Sequence, residues 1–185
     1  VDGTIDVKLS NTNNTSTPVL ASITEQILSS AVTNGTDVIT YADGIITAKN
    51  AGTAKITFTQ AASDKYTEYT SATYEISVSK ISNQISMTLN GQSTSNIKLE
   101  YNKSATIAYT SAHTDSPLIV ERTSGTCTTY TNNVISAGSN PGTDLYTISQ
   151  AETYKYEAGY TTFSIRVNDT TEEETDILND PKEHV

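Results

Sequence analysis

The stretch Asp43–Val78, DGIITAKNAGTAKITFTQAASDKYTEYTSATYEISV, is written a second time at Asn132–Val167, NNVISAGSNPGTDLYTISQAETYKYEAGYTTFSIRV. Tyr41 aligns with Tyr130, Ile45-Ile46 with Val134-Ile135 and Ala48 with Ala137, all at an offset of 89. One inserted residue moves the offset to 90 and aligns Gly52-Thr53 with Gly142-Thr143, Gln60-Ala61 with Gln150-Ala151 and Lys65-Tyr66 with Lys155-Tyr156. The offset returns to 89 for Ile76 and Val78 against Ile165 and Val167. A self-match held at one period marks two copies of one structural unit. In a chain of 185 residues it predicts two units of ~90 residues, a usual size for a two-sheet β domain.

Outward from the repeat, the chain reads as short strands between turns. Ile5, Val7 and Leu9 alternate with polar neighbours, the pattern of a strand with one buried face. Asn11–Thr17 is a polar run and predicts a loop. Val19–Thr24 and Gln26–Val32 read as two short strands, and Asn34-Gly35 as a hairpin turn before Val38–Tyr41. Asp43-Gly44 predicts a second tight turn, Ile45–Ala48 the return strand, and Thr53–Gln60 a strand with Ile56 and Phe58 on one face. Thr73–Val78 closes the unit with Tyr74, Ile76 and Val78 inward. Lys80–Asn83 is a joint too short for a floppy linker. The second unit reads as strands at Ile85–Leu89, Ile97–Tyr101, Thr106–Ser111, Leu118–Arg122, Thr126–Tyr130, Val134–Ala137, Leu145–Gln150 and Thr162–Val167. No segment sustains a 3.6-residue period over a helix length, so the expected class is an all-β sandwich. Aligning Ile97–Tyr101 with Ile5–Leu9 leaves Ile85–Leu89 without a counterpart, so the first unit is expected to lack its first strand. An open edge is a liability, and a neighbouring segment or an alternative edge strand is expected to cover it.

Gly44-Ile45-Ile46-Thr47-Ala48 followed by Ala51-Gly52-Thr53-Ala54-Lys55-Ile56-Thr57 resembles the bacterial immunoglobulin-like domains of group 2. The second copy keeps Val134-Ile135-Ser136-Ala137 and Gly142-Thr143, but has Asn133 in place of Gly44 and Asp144-Leu145 in place of Ala-Lys. Lys-Tyr before the last strand is similar to variants in surface proteins of Bacteroidetes. The resemblance covers the C-terminal half of each unit more fully than the N-terminal half. It implies two tandem immunoglobulin-like β-sandwiches, at 1–80 and 81–168, followed by an acidic linker or tail at 169–185. It also implies an extracellular place, on a bacterial surface or secreted, and a role in adhesion, spacing or carbohydrate binding.

Charge narrows the partners. The formal net charge is −10, and the stretch from Asp169 to Val185 carries seven acids against one lysine, leaving −4 for the body. A body without a basic patch disfavours nucleic acid, whose phosphates need neutralising cations, and disfavours anionic membrane surfaces. No stretch approaches the ~18–20 apolar residues of a membrane span, so no membrane insertion is expected of this chain. The chain begins with Val and reads as part of a longer protein. Its single cysteine, Cys127, aligns with Val38 and reads as a small buried strand residue.

Candidate chemistry is sparse. The histidines are His113, in the polar loop Ser111–Ser116, and His184, one residue from the end. Neither recurs in both copies, and both read as solvated residues rather than catalytic bases, so no enzyme is expected and no cofactor. Calcium ligands could come from Asp43 with Asn50, or from Asn132 and Asn133 with Asp144, but no D-x-D-x-D-G run occurs and turn chemistry is the favoured account of these residues. No metal is expected. Tyr66 and Tyr156 recur and read as rim-packing residues. Tyr154 and Tyr160 do not recur in place, and together with Asn132, Asn133 and Asn140 they are the candidate ligand contacts. Tyrosine faces stack on sugars or anchor protein contacts. Asp169-Thr170-Thr171 resembles the short O-glycosylation signal of Bacteroidetes. The expected function is a non-catalytic adhesion or spacer module whose partner is a surface protein or glycan. The alternatives are a carbohydrate-binding accessory module and a phage virion decoration domain.

Overall fold

The computed structural model describes residues 1–9 and 17–168, which are all β, without a helix. The acidic stretch from Asp169, His184 and most of the polar run 11–17 lie outside the described residues. In chain order the strands are β1 (Thr4–Asp6), β2 (Val19–Leu28), β3 (Ile39–Ala42), β4 (Ile45–Ala48), β5 (Gly52–Gln60), β6 (Tyr69–Thr70) and β7 (Tyr74–Val78). They continue with β8 (Ile85–Leu89), β9 (Asn96–Glu100), β10 (Ser104–Ser111), β11 (Leu118–Ser124), β12 (Thr128–Thr131), β13 (Val134–Ala137), β14 (Gly142–Gln150) and β15 (Gly159–Asn168). The chain divides into two compact units. One is Val1–Gln84 with Ala112–Pro117 and Gln150–Gly159. The other is Ile85–Ser111 with Leu118–Ser149 and the chain from Tyr160.

The sheets of the first copy run β1-β4-β3 and β2-β5-β6, with β7 also paired to β5; those of the second run β12-β13-β10-β8 and β11-β14-β15-β9. Period-two patterning sets which faces are buried. Along β5 the residues Gly52, Ala54, Ile56, Phe58 and Gln60 are buried while the intervening Thr and Lys are half exposed. Along β14 the buried set is Asp144, Tyr146, Ile148 and Gln150. The first core gathers Val38, Ile39, Ile46, Ala54, Ile56 and Phe58. The second gathers twice as many buried side chains, among them Leu89, Leu99, Ile107, Tyr146, Ile148, Phe163 and Ile165. Tyr146 and Phe163 stack at 5.0 Å, an aromatic pair without a counterpart ring at Ala54–Ile56.

The two copies share hydrogen bonds as well as residues. Lys49 N donates to Val38 O as Gly138 N donates to Cys127 O, and Ser63 N to Tyr66 O as Thr153 N to Tyr156 O. The hairpin turns match too: Asp43-Gly44 has φ of 50° and 80°, and Asn132-Asn133 has 49° and 63°. Both central residues of a two-residue hairpin turn need positive φ, which Gly, Asn and Asp tolerate.

Several expectations require correction. β1 is not the counterpart of Ile97–Tyr101. It pairs Thr4, Ile5 and Asp6 with Thr47, Ile46 and Ile45, as β10 pairs Ser104, Ala105 and Thr106 with Ser136, Ile135 and Val134. Ala48 N donates to Gly3 O and Val7 N to Gly44 O, as Ala137 N donates to Lys103 O and Ile107 N to Asn133 O. An alternating triad cannot reveal which of two similar strands it matches; the ladder does. The expected pair Val19–Thr24 and Gln26–Val32 is one strand, β2, with an irregularity between Ile23 and Glu25 against β5. Asn34-Gly35 does not close a hairpin, since β2 and β3 lie in different sheets. The loop is held by Asn50, whose Oδ1 accepts from Asn34 N and whose Nδ2 donates to Asp37 O. Tyr74, expected inward, is 53% exposed.

Gly52 and Gly142 open β5 and β14, with φ of 155° and 156°. A Cβ at Gly52 would lie 2.1 Å from Ile27 O and 2.8 Å from Val38 Cγ2, whereas at Gly142 its nearest neighbour is Cys127 Sγ at 3.6 Å. Both positions therefore carry backbone strain for other residues, of order 1–3 kcal/mol, and only Gly52 adds a backbone collision. Gly52→Ala is expected to destabilise by about 3 kcal/mol or more and Gly142→Ala by about 1–2 kcal/mol, read from urea denaturation midpoints.

Candidate functional site

The residues singled out by sequence fall in different places. Asn132 and Asn133 form the exposed turn between β12 and β13, and Asn140 is exposed beyond the other end of β13. Four residues of strand separate them, about 13 Å. Tyr160, 77% exposed, stands on β15, in the opposite sheet of the second copy. Tyr154 lies half-buried in the connection before β15. Asn133 is committed to the fold: its Oδ1 accepts from the hydroxyls of Tyr109 and Tyr130, both at 2.9 Å. Burial first, and the Tyr109 hydroxyl second, push Tyr130 up to about 12. Of the two candidate tyrosines, Tyr160 is the more open.

His113 is not a solvated loop residue. It is 8% exposed, its Nδ1 accepts from Asp115 N at 3.2 Å, and its ring stacks on Tyr156 at 4.3 Å. The loop folds back because Gln150 Nε2 donates to the carbonyls of His113 and Ser116. Gln60 Nε2 donates to Thr17 O in the same way. The Gln of the recurring Gln-Ala pair thus donates to a backbone carbonyl just ahead of a strand in each copy, Thr17 before β2 and Ser116 before β11. Asn50, offered as a calcium ligand, is fully buried and bonded to Asn34 and Asp37. Among the described residues no group of three or more His, Cys, Asp and Glu side chains is placed to hold a metal.

The densest polar chemistry is interior and centred on Asp144, whose exposure is 0%. Its Oδ1 accepts from Cys127 N and from the Cys127 thiol, each at 3.0 Å. Its Oδ2 accepts from Thr128 N at 2.8 Å and from the Thr128 hydroxyl at 2.6 Å. That hydroxyl is donated to in turn by Tyr146 at 2.7 Å. Arg122 Nη1 lies 3.4 Å from Oδ2 and donates to Thr128 O. Burial pushes the Asp144 carboxyl up, but the hydrogen bonds from Cys127 and Thr128 outweigh it and the net direction is down. Burial, then the bond to Asp144, pushes the Cys127 thiol up to about 11, so at neutral pH it is protonated and a poor nucleophile.

The first copy does the same work with different residues. The counterparts of Cys127 N and Thr128 N are Val38 N and Ile39 N, and both donate to Gln26 Oε1 at 2.8 Å. Gln26 is on β2, directly opposite Ala54, which stands where Asp144 stands. In the second copy the residue at the Gln26 position is Gly125, two residues after Thr123. Thr123 donates to Leu145 O as Thr24 donates to Lys55 O. A Cβ at Gly125 would lie 2.0 Å from Asp144 Oδ1. The pairs Gln26/Ala54 and Gly125/Asp144 are therefore alternative solutions to one problem. Either strand can supply the acceptor, and its neighbour must then be small. The departure at Asp144-Leu145 was visible in the sequence; its partner change at Gly125 needed the pairing of β2 with β5.

Comparison of the sequence with protein-family models found no matching family, and comparison with curated proteins found no matching relative.

Gln26→Ala strands two buried donors and is expected to cost about 1–3 kcal/mol. Ala54→Asp in the Gln26→Ala background is expected to recover part of this, with a coupling of about 0.5–3 kcal/mol in a double-mutant cycle. Asp144 also gives a pH signature. A carboxylate whose folded pKa lies below its unfolded value of ~3.9 stabilises above that value, and the contribution disappears as pH falls through the folded pKa. Between pH 5 and 2 the parent is expected to lose more stability than Asp144→Ala. The Cys127 thiol is expected to stay inert to a disulfide reagent at pH 7 until the protein is unfolded.

Proposed function

We propose that this chain is a pair of tandem immunoglobulin-like sandwiches acting, on a bacterial surface or after secretion, as a non-catalytic spacer that presents a neighbouring region or docks it by adhesion. The observation that carries the reading is the use of the buried polar side chains. Asp144, Gln26, Asn50, Gln60 and Gln150 all satisfy backbone groups or tether loops of their own unit. Such groups stiffen a β scaffold, because each lost bond would leave a buried donor or acceptor unmet. Two repeated units with separate cores suit a module of repeated scaffolding domains.

Single-molecule pulling on the whole chain tests this. Two discrete unfolding events are expected, each releasing roughly 280 Å, the contour of about 80 residues. One shared event, or a featureless extension at low force, contradicts the spacer reading. Panels of glycosides, esters and peptides are expected to remain uncleaved. Reproducible hydrolysis lost on substituting Asp144 or His113, in a variant that still folds, contradicts the non-catalytic reading.

A second reading, carbohydrate binding, is favoured by the exposed ring of Tyr160, since sugar faces stack on such rings. A glycan array with the parent and with Tyr160→Ala separates the two readings. Binding lost in the variant supports the carbohydrate reading, and no binding by either supports the spacer.

A further inference from the structure

We propose that Asn34 is a site of spontaneous covalent modification: its carboxamide closes on the backbone nitrogen of Gly35 to a cyclic imide, which water opens to an aspartate or an isoaspartate at position 34. The same dipeptide at Asn90-Gly91 is held unreactive by the fold. The inference does not rest on the spacer reading.

The chemistry requires an asparagine side chain free to turn, a following backbone nitrogen free to attack, and open space around both. The Gly35 nitrogen adds to Asn34 Cγ and gives its proton to solvent. The Cγ–Nδ2 bond then breaks, and the amide nitrogen leaves as ammonia. Water attacks either carbonyl of the imide. One opening restores the ordinary backbone with a carboxylate on the side chain. The other routes the backbone through the side-chain carbons and leaves a carboxylate where the Asn34 carbonyl stood. Both products add a negative charge. Such reactions make asparagine a thermolabile residue, and a following glycine leaves the attacking nitrogen uncovered.

The dipeptide occurs as Thr33-Asn34-Gly35-Thr36 and as Leu89-Asn90-Gly91-Gln92. Asn34, Gly35, Asn90 and Gly91 are all exposed, so hydrogen bonding is what separates the two sites. Asn90-Gly91 makes a tight turn with φ of 50° and 77°. Leu89 and Gln92 flank it, and the N–H of each donates to the carbonyl of the other at 2.9 Å. Asn90 N donates to Thr106 O at 2.9 Å, and Asn90 Oδ1 accepts from Thr106 N at 2.9 Å. The Asn90 carboxamide is therefore tied to β10. Reaction there waits on local opening that breaks these bonds.

Asn34-Gly35 lies in the irregular connection from β2 to β3. Neither the Asn34 carboxamide nor the Gly35 N–H has a hydrogen-bond partner among the described residues. A Cβ built at Gly35 would meet nothing within 4 Å, so the space the imide needs is open. The Asn34 backbone is fixed from the interior instead. Its N–H donates to Asn50 Oδ1 at 2.6 Å, and its carbonyl accepts from Asn50 Nδ2 at 3.2 Å. The loop stays anchored while the side chain turns. The aspartate product keeps both bonds. The isoaspartate product displaces the carbonyl and inserts a carbon into the backbone above Asn50, whose exposure is 0%. Modification at an exposed residue thereby loosens a buried clamp.

The test is incubation of the full-length protein at mildly alkaline pH, below its melting temperature. Peptide mapping by mass spectrometry and enzymatic methylation of isoaspartate follow both sites. In the folded protein conversion at Asn34 is expected to run at least tenfold faster than at Asn90. In concentrated guanidinium chloride the two rates are expected to agree within about threefold, since only the fold distinguishes them. Asn34→Ser keeps the backbone bonds to Asn50, and it is expected to lack the main acidic form on ion exchange while melting like the parent. The isolated isoaspartate form is expected to melt lower by roughly 4 °C or more, the shift from losing a buried hydrogen bond in a unit of this size. Comparable folded-state rates at the two sites, a tenfold difference that persists in denaturant, or the main acidic form surviving in Asn34→Ser would each overturn the proposal. An isoaspartate form that melts with the parent would overturn the part given to Asn50.

Discussion

Where the chain enters β3 and β12, two consecutive backbone N–H groups point into the interior, and an acceptor must reach them. Unmet, each would cost about 1–3 kcal/mol. The first copy answers with the amide oxygen of Gln26 and the second with the carboxylate of Asp144. The acceptor comes from adjacent strands in the two cases, and the residue opposite it is small each time, Ala54 or Gly125. The carboxylate carries further demands. A buried anion needs partners, and it finds them in the Cys127 thiol, the Thr128 hydroxyl and Arg122. Tyr146 in turn bonds the Thr128 hydroxyl, and the bond to Asp144 adds to burial in raising the Cys127 thiol pKa. The chemistry that looks most like an active centre is thus a solution to backbone satisfaction.

The two copies are unequal in completeness. The second closes its sheets with β8 and β9, and Leu89 and Leu99 join the core from them. The first has neither counterpart among the described residues, and its core has half as many fully buried apolar side chains. Ile5 and Tyr74, which a complete sandwich would cover, are about half exposed.

Much of this was legible in the residues. The 89–90 spacing showed two copies, and the period-two alternation of Ile56, Phe58, Tyr146 and Ile148 matched strands with one buried face. The turns at Asp43-Gly44 and Asn132-Asn133 were legible because positive φ restricts residue choice so strongly. Connections were harder. Asn34-Gly35 carries a hairpin signal, yet the loop crosses between sheets because Asn50 holds it from within. His113 looked like a solvated loop residue and is buried against Tyr156, since Gln150 draws the loop carbonyls inward. The candidate contacts Asn132, Asn133, Asn140, Tyr154 and Tyr160 were chosen as residues that differ between copies, which says nothing of proximity. They lie at different ends and sheets, and one is bound to Tyr109 and Tyr130.

Local information was sufficient wherever the constraint is local. Alternation specifies which face of a strand is buried, a two-residue turn specifies its residues, and a repeat specifies that one solution is used twice. The tertiary structure decided which strands are neighbours, and with that the identity of β1 and the exchange of Gln26 for Asp144. Strand partners are chosen across long sequence separations by backbone hydrogen bonding, and the backbone is the same at every residue. The sequence therefore carries the side chains that tolerate a pairing, while the pairing itself exists only once the sheets are assembled.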